Sequence, residues 1–234
     1  MKKLIIFFAV IATALPLVLS ACKNGAEPGT TETVTDNQAA ITTAERSNDG
    51  YILEDGLFIT DIYPYSGVYY EDGGNEICAN VCAVRLLNKS DVNYRYIRFS
   101  IRTAGGEYSF SASTLFSGAS MTVLCEDKAE YTDGIIQSVR MTVSALFEDA
   151  PTVHLDEMQI SYTDGFINVK NLTGDTLHDV YVYYKDTDSF GYLGGITYRV
   201  SFGDIPAGET RQAGSSNMKR ETCKVVFSTY TDAQ

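Results

Sequence analysis

Short runs of alternating apolar and polar residues fill the chain from Tyr51 onward, and they constrain its fold more than any other feature. The runs are rich in Tyr, Val, Ile, Phe and Thr, which suit half-buried strands, and no window of about ten residues after Gly50 carries a helical stripe. Asp-Gly dipeptides, in which both residues accept positive φ, punctuate the runs at Asp55-Gly56, Asp72-Gly73, Asp133-Gly134 and Asp164-Gly165. The pattern predicts an all-β protein.

An internal repeat divides this β region. Asn88-Lys89-Ser90 and Asn171-Leu172-Thr173 lie 83 residues apart. The same offset aligns apolar residues of equal parity: Val84, Leu86, Ile97, Phe99 and Ile101 with Ile167, Val169, Val180, Val182 and Tyr184. An offset of 90 then aligns Leu115-Phe116-Ser117-Gly118 with Ile205-Pro206-Ala207-Gly208, and each half ends in a β-branched segment. We therefore predict two tandem small immunoglobulin-like β-sandwich domains, residues 51–150 and 151–234.

The start of the chain has the pattern of a lipoprotein signal. Two lysines precede an uncharged apolar run over residues 4–19, and Leu19-Ser20-Ala21-Cys22 matches a lipobox. An uncleaved transmembrane helix is the alternative, but the run is shorter than the roughly 20 residues needed to span a bilayer and contains Pro16. We predict that residues 1–21 are a signal peptide and that Cys22 carries the lipid. The protein would then be anchored to the outer face of the cell membrane.

Residues 22–50 are predicted to form a flexible tether, because they are rich in Thr and acidic residues and have no periodic apolar face. The whole chain of 234 residues carries a formal net charge of −12. Such a surface repels phosphate backbones and anionic head groups. Nucleic acid is therefore excluded as a partner, and membrane attachment is assigned to the lipid.

The second half resembles the FxLYD-type β-sandwich modules of exported bacterial proteins. The resemblance rests on four segments: Val169-Lys170-Asn171, Val180 to Lys185, Gly194 to Val200 and Ala207-Gly208-Glu209. The first half, with Tyr65-Ser66-Gly67, Glu71-Asp72-Gly73 and Asn75-Glu76, resembles the partner domain of uncharacterised lipoproteins from Gram-positive anaerobes. The resemblance implies a β-sandwich fold and a surface location, and it carries over no catalytic residue.

Four cysteines follow Cys22. Cys78 and Cys82 share the parity of core positions, yet four residues of strand separate them by about 13 Å. A disulfide needs Cα atoms within roughly 7 Å, so these two cannot bond to each other without a bulge or break. Cys125 can reach one of them, and Cys223 lies in the other predicted domain. Buried thiols are favoured and a single disulfide stays open, whereas the two histidines lack the spacing of zinc ligands.

No complete catalytic motif is present. Ser216-Asn217-Met218-Lys219 matches S-x-x-K, but the S-D-N and K-T-G motifs that accompany it in penicillin-recognising enzymes are missing. The acidic residues show no pairing that spacing alone identifies as catalytic. We predict that the protein is not an enzyme and needs no cofactor.

The segment from Tyr63 to Glu76 has no counterpart in the second half and is the first candidate site. One hypothesis is that Tyr65, Tyr69 and Tyr70 contact a ligand or a protein, since tyrosine offers a large area and a polar tip. A weaker hypothesis is a calcium site, whose oxygen ligands would come from Glu71, Asp72, Asn75 and Glu76. An ordinary long hairpin explains the segment equally simply.

The second candidate site is the outward face of the repeated strand. It is predicted to present Tyr181, Tyr183 and Lys185 in the second half. Such a face can stack sugar rings or dock a protein, although cross-strand tyrosine pairing also stabilises a sheet without any ligand. The resulting prediction is a non-enzymatic, lipid-anchored surface protein that contacts other envelope proteins. An extracellular small-ligand or glycan-binding lipoprotein is the alternative.

Overall fold

The computed structural model of the chain describes residues 44–163, 165–214, 218 and 222–231. All the helix or strand structure in these residues is β-strand, which confirms the predicted all-β class. No helix in the described part has the length and apolar character needed to cross a membrane. The signal peptide, Cys22 and nearly all of the tether lie outside the described residues.

Two short strands begin the fold: β1 (Arg46–Ser47) and β2 (Gly50–Glu54). The first repeat follows: β3 (Leu57–Val68), β4 (Ile77–Asn88), β5 (Tyr94–Thr103), β6 (Gly106–Leu115), β7 (Ser120–Leu124) and β8 (Ile136–Leu146). The second repeat comprises β9 (Met158–Thr163), β10 (Phe166–Asn171), β11 (Leu177–Asp188), β12 (Gly191–Ile205), β13 (Thr210–Gly214) and β14 (Cys223–Thr231). Strand structure therefore begins at Arg46, a few residues before the predicted boundary at Tyr51. The Arg46 guanidinium lies 5.1 Å from the Tyr51 ring centroid.

The two repeats have the same strand order. The first contains the order β3-β4-β7 and a separate sheet β6-β5-β8. The second contains β9-β10-β13 and the order β12-β11-β14. The residues that the 83-residue offset aligns are buried in both repeats: Val84, Leu86, Ile97, Phe99, Ile101, Ile167, Val169, Val180, Val182 and Tyr184. The aligned positions therefore share their burial as well as their strand order.

A buried asparagine fixes the same turn in each repeat. The Asn88 amide donates to the carbonyls of Val92 (2.9 Å) and Leu115 (3.3 Å), and its oxygen accepts from Ser90. Asn88 is fully buried, as is its counterpart Asn171 in the second repeat. The side chain therefore ties the β4–β5 turn to the end of β6, and a buried amide with all these partners satisfied stabilises that turn.

Asn171 makes the matching bonds in the second repeat. Its amide donates to the carbonyls of Asp175 (2.7 Å) and Ile205 (2.8 Å), and its oxygen accepts from Thr173. These partners correspond to those of Asn88. Thr173 and Asp175 match Ser90 and Val92 at the 83-residue offset, and Ile205 matches Leu115 at the 90-residue offset. We call the two arrangements the asparagine clamps.

One sheet joins the repeats. Strands β7 and β12 pair in parallel, with Met121 opposite Tyr192 and Thr122 opposite Leu193. The pairing makes a continuous eight-stranded sheet, β1-β2-β3-β4-β7-β12-β11-β14. Each repeat has its own hydrophobic core, and Tyr192, Val226 and Phe227 of the second repeat belong to the core of the first. The repeats therefore share backbone hydrogen bonds and apolar packing.

Candidate functional site

A large bulge in β12 lies next to the β7–β12 pairing that joins the two repeats. We call this region the junction. Tyr184 pairs with Tyr198 and Asp186 pairs with Leu193, so Lys185 alone faces the four residues 194–197. Bulges of this kind bend a strand and re-aim its groups. Here the bulge turns backbone carbonyls towards the side chain of Lys185.

Lys185 is fully buried inside this bulge. Its ammonium donates to the carbonyls of Gly194 (3.3 Å), Gly195 (3.1 Å) and Ile196 (2.7 Å). Burial lowers the pKa of Lys185 from 10.5 to about 7, and the nearby Glu71 carboxylate opposes that shift. The charged form of an ammonium has three protons to donate, and the three carbonyls accept all of them, so the bulge holds Lys185 and it is not a free nucleophile.

Glu71 of the first repeat binds the other side of the bulge. Its carboxylate accepts from the N–H of Gly195 (2.8 Å) and from the N–H of Leu124 at the end of β7 (2.7 Å). Burial raises the pKa of the Glu71 carboxyl from 4.5 to about 7, and the backbone donors and Lys185 reduce that shift. The carboxylate therefore bridges the two repeats beside the β7–β12 pair.

The two glycines of the bulge permit this approach. A Cβ on Gly195 would lie 2.1 Å from the Ser111 carbonyl oxygen of β6. Gly194 has φ of +83°, and a Cβ there would lie 2.7 Å from Cβ of Tyr70. Any larger residue would push the bulge away from the first repeat.

The predicted outward face of β11 is wrong at Lys185, which is buried. Tyr183 packs against the first core and stacks on Phe227 with ring centroids 4.0 Å apart. Tyr181 stays partly exposed, with the Arg199 guanidinium 4.7 Å from its ring centroid.

The tyrosine segment belongs to the β3–β4 hairpin, as the hairpin interpretation predicted, and its Tyr70 and Glu71 lie against Gly194 and Gly195 of the second repeat. Tyr69 is buried, and its hydroxyl donates to the carbonyls of Cys125 and Glu126, both at 2.9 Å. A contact role for Tyr69 is therefore wrong, because its side chain does not reach solvent. Tyr65 and Tyr70 are partly exposed, and their contact role stays a prediction.

The structure does not bring the four proposed calcium ligands together. Lys128 forms ion pairs with Asp72 (3.5 Å) and Glu76, while Glu71 points to the junction. Asn75 is exposed. Within the described residues no group of three or more His, Cys, Asp or Glu side chains can hold a metal ion.

None of the four cysteines in the described part forms a disulfide. Cys82 and Cys125 are buried, and Cys78 and Cys223 are partly buried. Ser216 and Lys219 of the S-x-x-K match lie outside the described residues, as does Cys22.

An exposed surface next to the junction combines aromatic rings with one arginine. We call Tyr63, Arg85 and Phe190 the aromatic–arginine surface; the neighbouring Thr122 is buried. Arg85 lies opposite Thr122 in the sheet, and the Tyr63 and Thr122 hydroxyls are 3.2 Å apart. Phe190, at the β11–β12 turn, is 56% exposed, and its ring centroid lies 3.8 Å from the Arg85 guanidinium carbon. Both repeats therefore contribute to this surface, a combination that sequence spacing does not show.

Arg85 is incompletely paired. Its nearest carboxylate, on the exposed Asp61, is 3.8 Å away. Its Nε is the one buried side-chain nitrogen or oxygen in the described residues that has no hydrogen-bond partner. The Arg85 side chain is still 23% exposed, so a partner can reach the guanidinium.

A small polar cavity of about 180 Å³ lies beside the bulge. Its lining includes Glu71, Tyr96, Ser111 and Ser113. The Ser113 hydroxyl is already bonded to the Gly195 carbonyl (3.0 Å) and to Thr197 (2.9 Å). The cavity has the size of a small polar molecule, and its groups mainly bond one another.

Comparison with protein-family models and with curated protein sequences gave no match for this chain.

Proposed function

We propose that this chain is a non-enzymatic, lipid-anchored surface protein that contacts other proteins of the cell envelope. The observation that carries the proposal is the aromatic–arginine surface. Aromatic residues and arginine are the types that protein interfaces favour, and a few such residues supply most of the binding free energy. Lys185 is fully buried, and its hydrogen bonds and those of Glu71 are made to the backbone at the junction, which favours a binding role over catalysis.

The lipid anchor and the domain organisation are parts of the same proposal. Cys22 would carry the lipid, and the residues between it and the start of β1 at Arg46 would hold two immunoglobulin-like sandwich domains, 51–150 and 151–234, away from the membrane. The matching strand orders of the two repeats support the domain division, as does the FxLYD-type resemblance. A Cys22→Ser variant should appear in the medium in folded form, whereas retention in the membrane would refute the anchor.

Photo-crosslinking on intact cells tests the contact role. Benzoylphenylalanine at position 190 should give covalent adducts with other envelope proteins. The matched control is position 166, because Phe166 is 45% exposed but lies in β10, whereas Phe190 is at the β11–β12 turn. Adducts from position 190 that Arg85→Ala weakens would support the proposal. Uncrosslinked protein alone from position 190, or equal adducts from both positions, would contradict it.

The alternative is a small-ligand or glycan-binding lipoprotein, and the polar cavity beside the bulge is the observation that favours it. Tyr96, which lines the cavity and is 37% exposed, offers a ring on which a sugar can stack. Binding to a glycan array that Tyr96→Ala abolishes would support this function. No signal from the wild type would exclude a glycan on that array.

A further inference from the structure

We propose that Cys82 and Cys125 form a disulfide that staples β4 to β7 when the chain folds in an oxidising environment. The sequence leaves the partner of Cys125 open, and the sheet register selects it. This inference is independent of the proposed contact role.

The register places the two cysteines opposite each other. Ala83 pairs with Leu124 in the antiparallel β4–β7 ladder, so the next position along brings Cys82 opposite Cys125. The Cys125 N–H donates to the Cys82 carbonyl at 2.9 Å. Residues opposite each other in an antiparallel pair have Cα atoms about 4.5–5.5 Å apart and side chains on the same face. Disulfides need Cα separations of about 4.4–6.8 Å, so backbone geometry permits the bond.

The other two cysteines are directed elsewhere. The Cys78 thiol donates to the Gly67 carbonyl at 3.4 Å, and the Cys223 sulfur lies 3.3 Å from a carboxylate oxygen of Asp186. Cys78 also lies on the same strand as Cys82, too far along it to bond. Cys82 and Cys125 are therefore the pair that the fold selects.

The staple would support the junction. The Tyr69 hydroxyl donates to the Cys125 carbonyl, and the next residue before Cys125, Leu124, donates its N–H to Glu71. A covalent link at this point would hold the end of β7, on which both contacts depend. It would also close a long loop of chain, which is the condition under which a disulfide restricts the unfolded state most.

The reaction needs an oxidant that bears a disulfide, such as oxidised glutathione. Two thiol S–H bonds break and one S–S bond forms, while the oxidant accepts two electrons and two protons and leaves as two thiols. Burial raises the thiol pKa of Cys82 to about 12 and that of Cys125 to about 11, and Cys125 also donates to Asp127 at 2.9 Å. Since the thiolate is the attacking species, we expect the bond to form while the chain folds and only slowly in the folded protein.

The test is refolding in a mixture of reduced and oxidised glutathione, with the full chain carrying Cys22→Ser. After the remaining thiols are alkylated, peptide mapping should recover a Cys82–Cys125 linked peptide. The oxidised protein should melt roughly 5–10 °C above the reduced protein. Alkylation of all four remaining cysteines, or a link between any other pair, would overturn the proposal.

Two variants keep the result interpretable. The Cys78→Ser/Cys223→Ser double variant retains only the proposed pair and should form the link in the same yield. Cys82→Ser should lose the link and the gain in melting temperature. If Cys82→Ser does not fold, the double variant alone decides, because absence of a link there contradicts the proposal.

Discussion

The two repeats share their turns and their core register but differ at one edge. Strand β7 of the first repeat, Ser-Met-Thr-Val-Leu, is almost wholly buried and pairs with β12. Its counterpart β13, Thr-Arg-Gln-Ala-Gly, is almost wholly exposed and pairs only with β10. Met121 thus corresponds to Arg211 at the 90-residue offset. An apolar edge accepts a following repeat, whereas a charged edge discourages further pairing, as in the terminal units of repeat proteins.

A second difference lies on the repeated central strand. Lys185 of β11 is buried in the bulge, whereas its counterpart at the 83-residue offset, Arg102 of β5, is exposed. The same strand position therefore holds a buried lysine in one repeat and an exposed arginine in the other. The bulge, and not the sequence position, determines the role.

Replacement of Lys185 should cause the largest loss of stability. Lys185→Met should lower the free energy of unfolding by about 3–5 kcal/mol, because it leaves three carbonyls and Glu71 without their cation. The matched change Arg102→Met should cost no more than about 0.5 kcal/mol, as is usual at exposed sites. Urea denaturation measures both. Equal costs would show that the bulge does not depend on Lys185.

The two asparagine clamps should contribute equally to the free energy of unfolding. Asn88→Ala and Asn171→Ala should each cost about 2–3 kcal/mol, because each change leaves buried backbone groups without partners. Thermal unfolding of the two variants gives the comparison. A large loss for one and none for the other would break the equivalence of the repeats.

The junction should give the chain a distinctive pH dependence. Because the folded-state pKa of Glu71 is raised from 4.5 to about 7, its contribution to stability is complete below about pH 4.5 and is lost as the pH rises towards 7. The melting temperature of the wild type relative to Glu71→Gln should therefore fall across this range. The exposed Glu107→Gln serves as the control, and a flat difference for Glu71→Gln would contradict the burial of this carboxyl.

The smallest effect on stability is expected at the polar edge. Arg211→Met should change the free energy of unfolding by less than about 0.5 kcal/mol, because the Arg211–Glu209 ion pair is exposed. It gives β13 the residue type that β7 has at this position, so weak self-association should rise. Sedimentation velocity across a concentration series measures this, and an unchanged sedimentation coefficient would show that Arg211 does not protect the edge.

The sequence predicted the features that depend on near neighbours. Strand alternation and the Asp55-Gly56 turn follow from local periodicity and turn chemistry, and the structure confirms them. The 83-residue offset also aligns Asn88 with Asn171 in the sequence. Their clamp role depends on carbonyls of distant strands, such as Leu115, and therefore emerged only in three dimensions.

The junction was missed because its partners are far apart in sequence. Lys185 alternates with buried residues as an outward position should, and only the bulge and Glu71 of the other repeat make it internal. The pair Gly194-Gly195 was the available signal, since glycines within a strand often mark a bulge or a close approach. The burial of Tyr69 likewise depends on carbonyls distant in sequence, those of Cys125 and Glu126.

The central claim is that the repeats form one rigid unit, so that Arg85 and Phe190 present a single surface. Differential scanning calorimetry of the full chain carrying Cys22→Ser tests it most directly. We predict one transition whose calorimetric enthalpy equals its van't Hoff enthalpy. Two separate transitions in the wild type would contradict the claim, because the repeats would then unfold independently and the shared surface would not be held together.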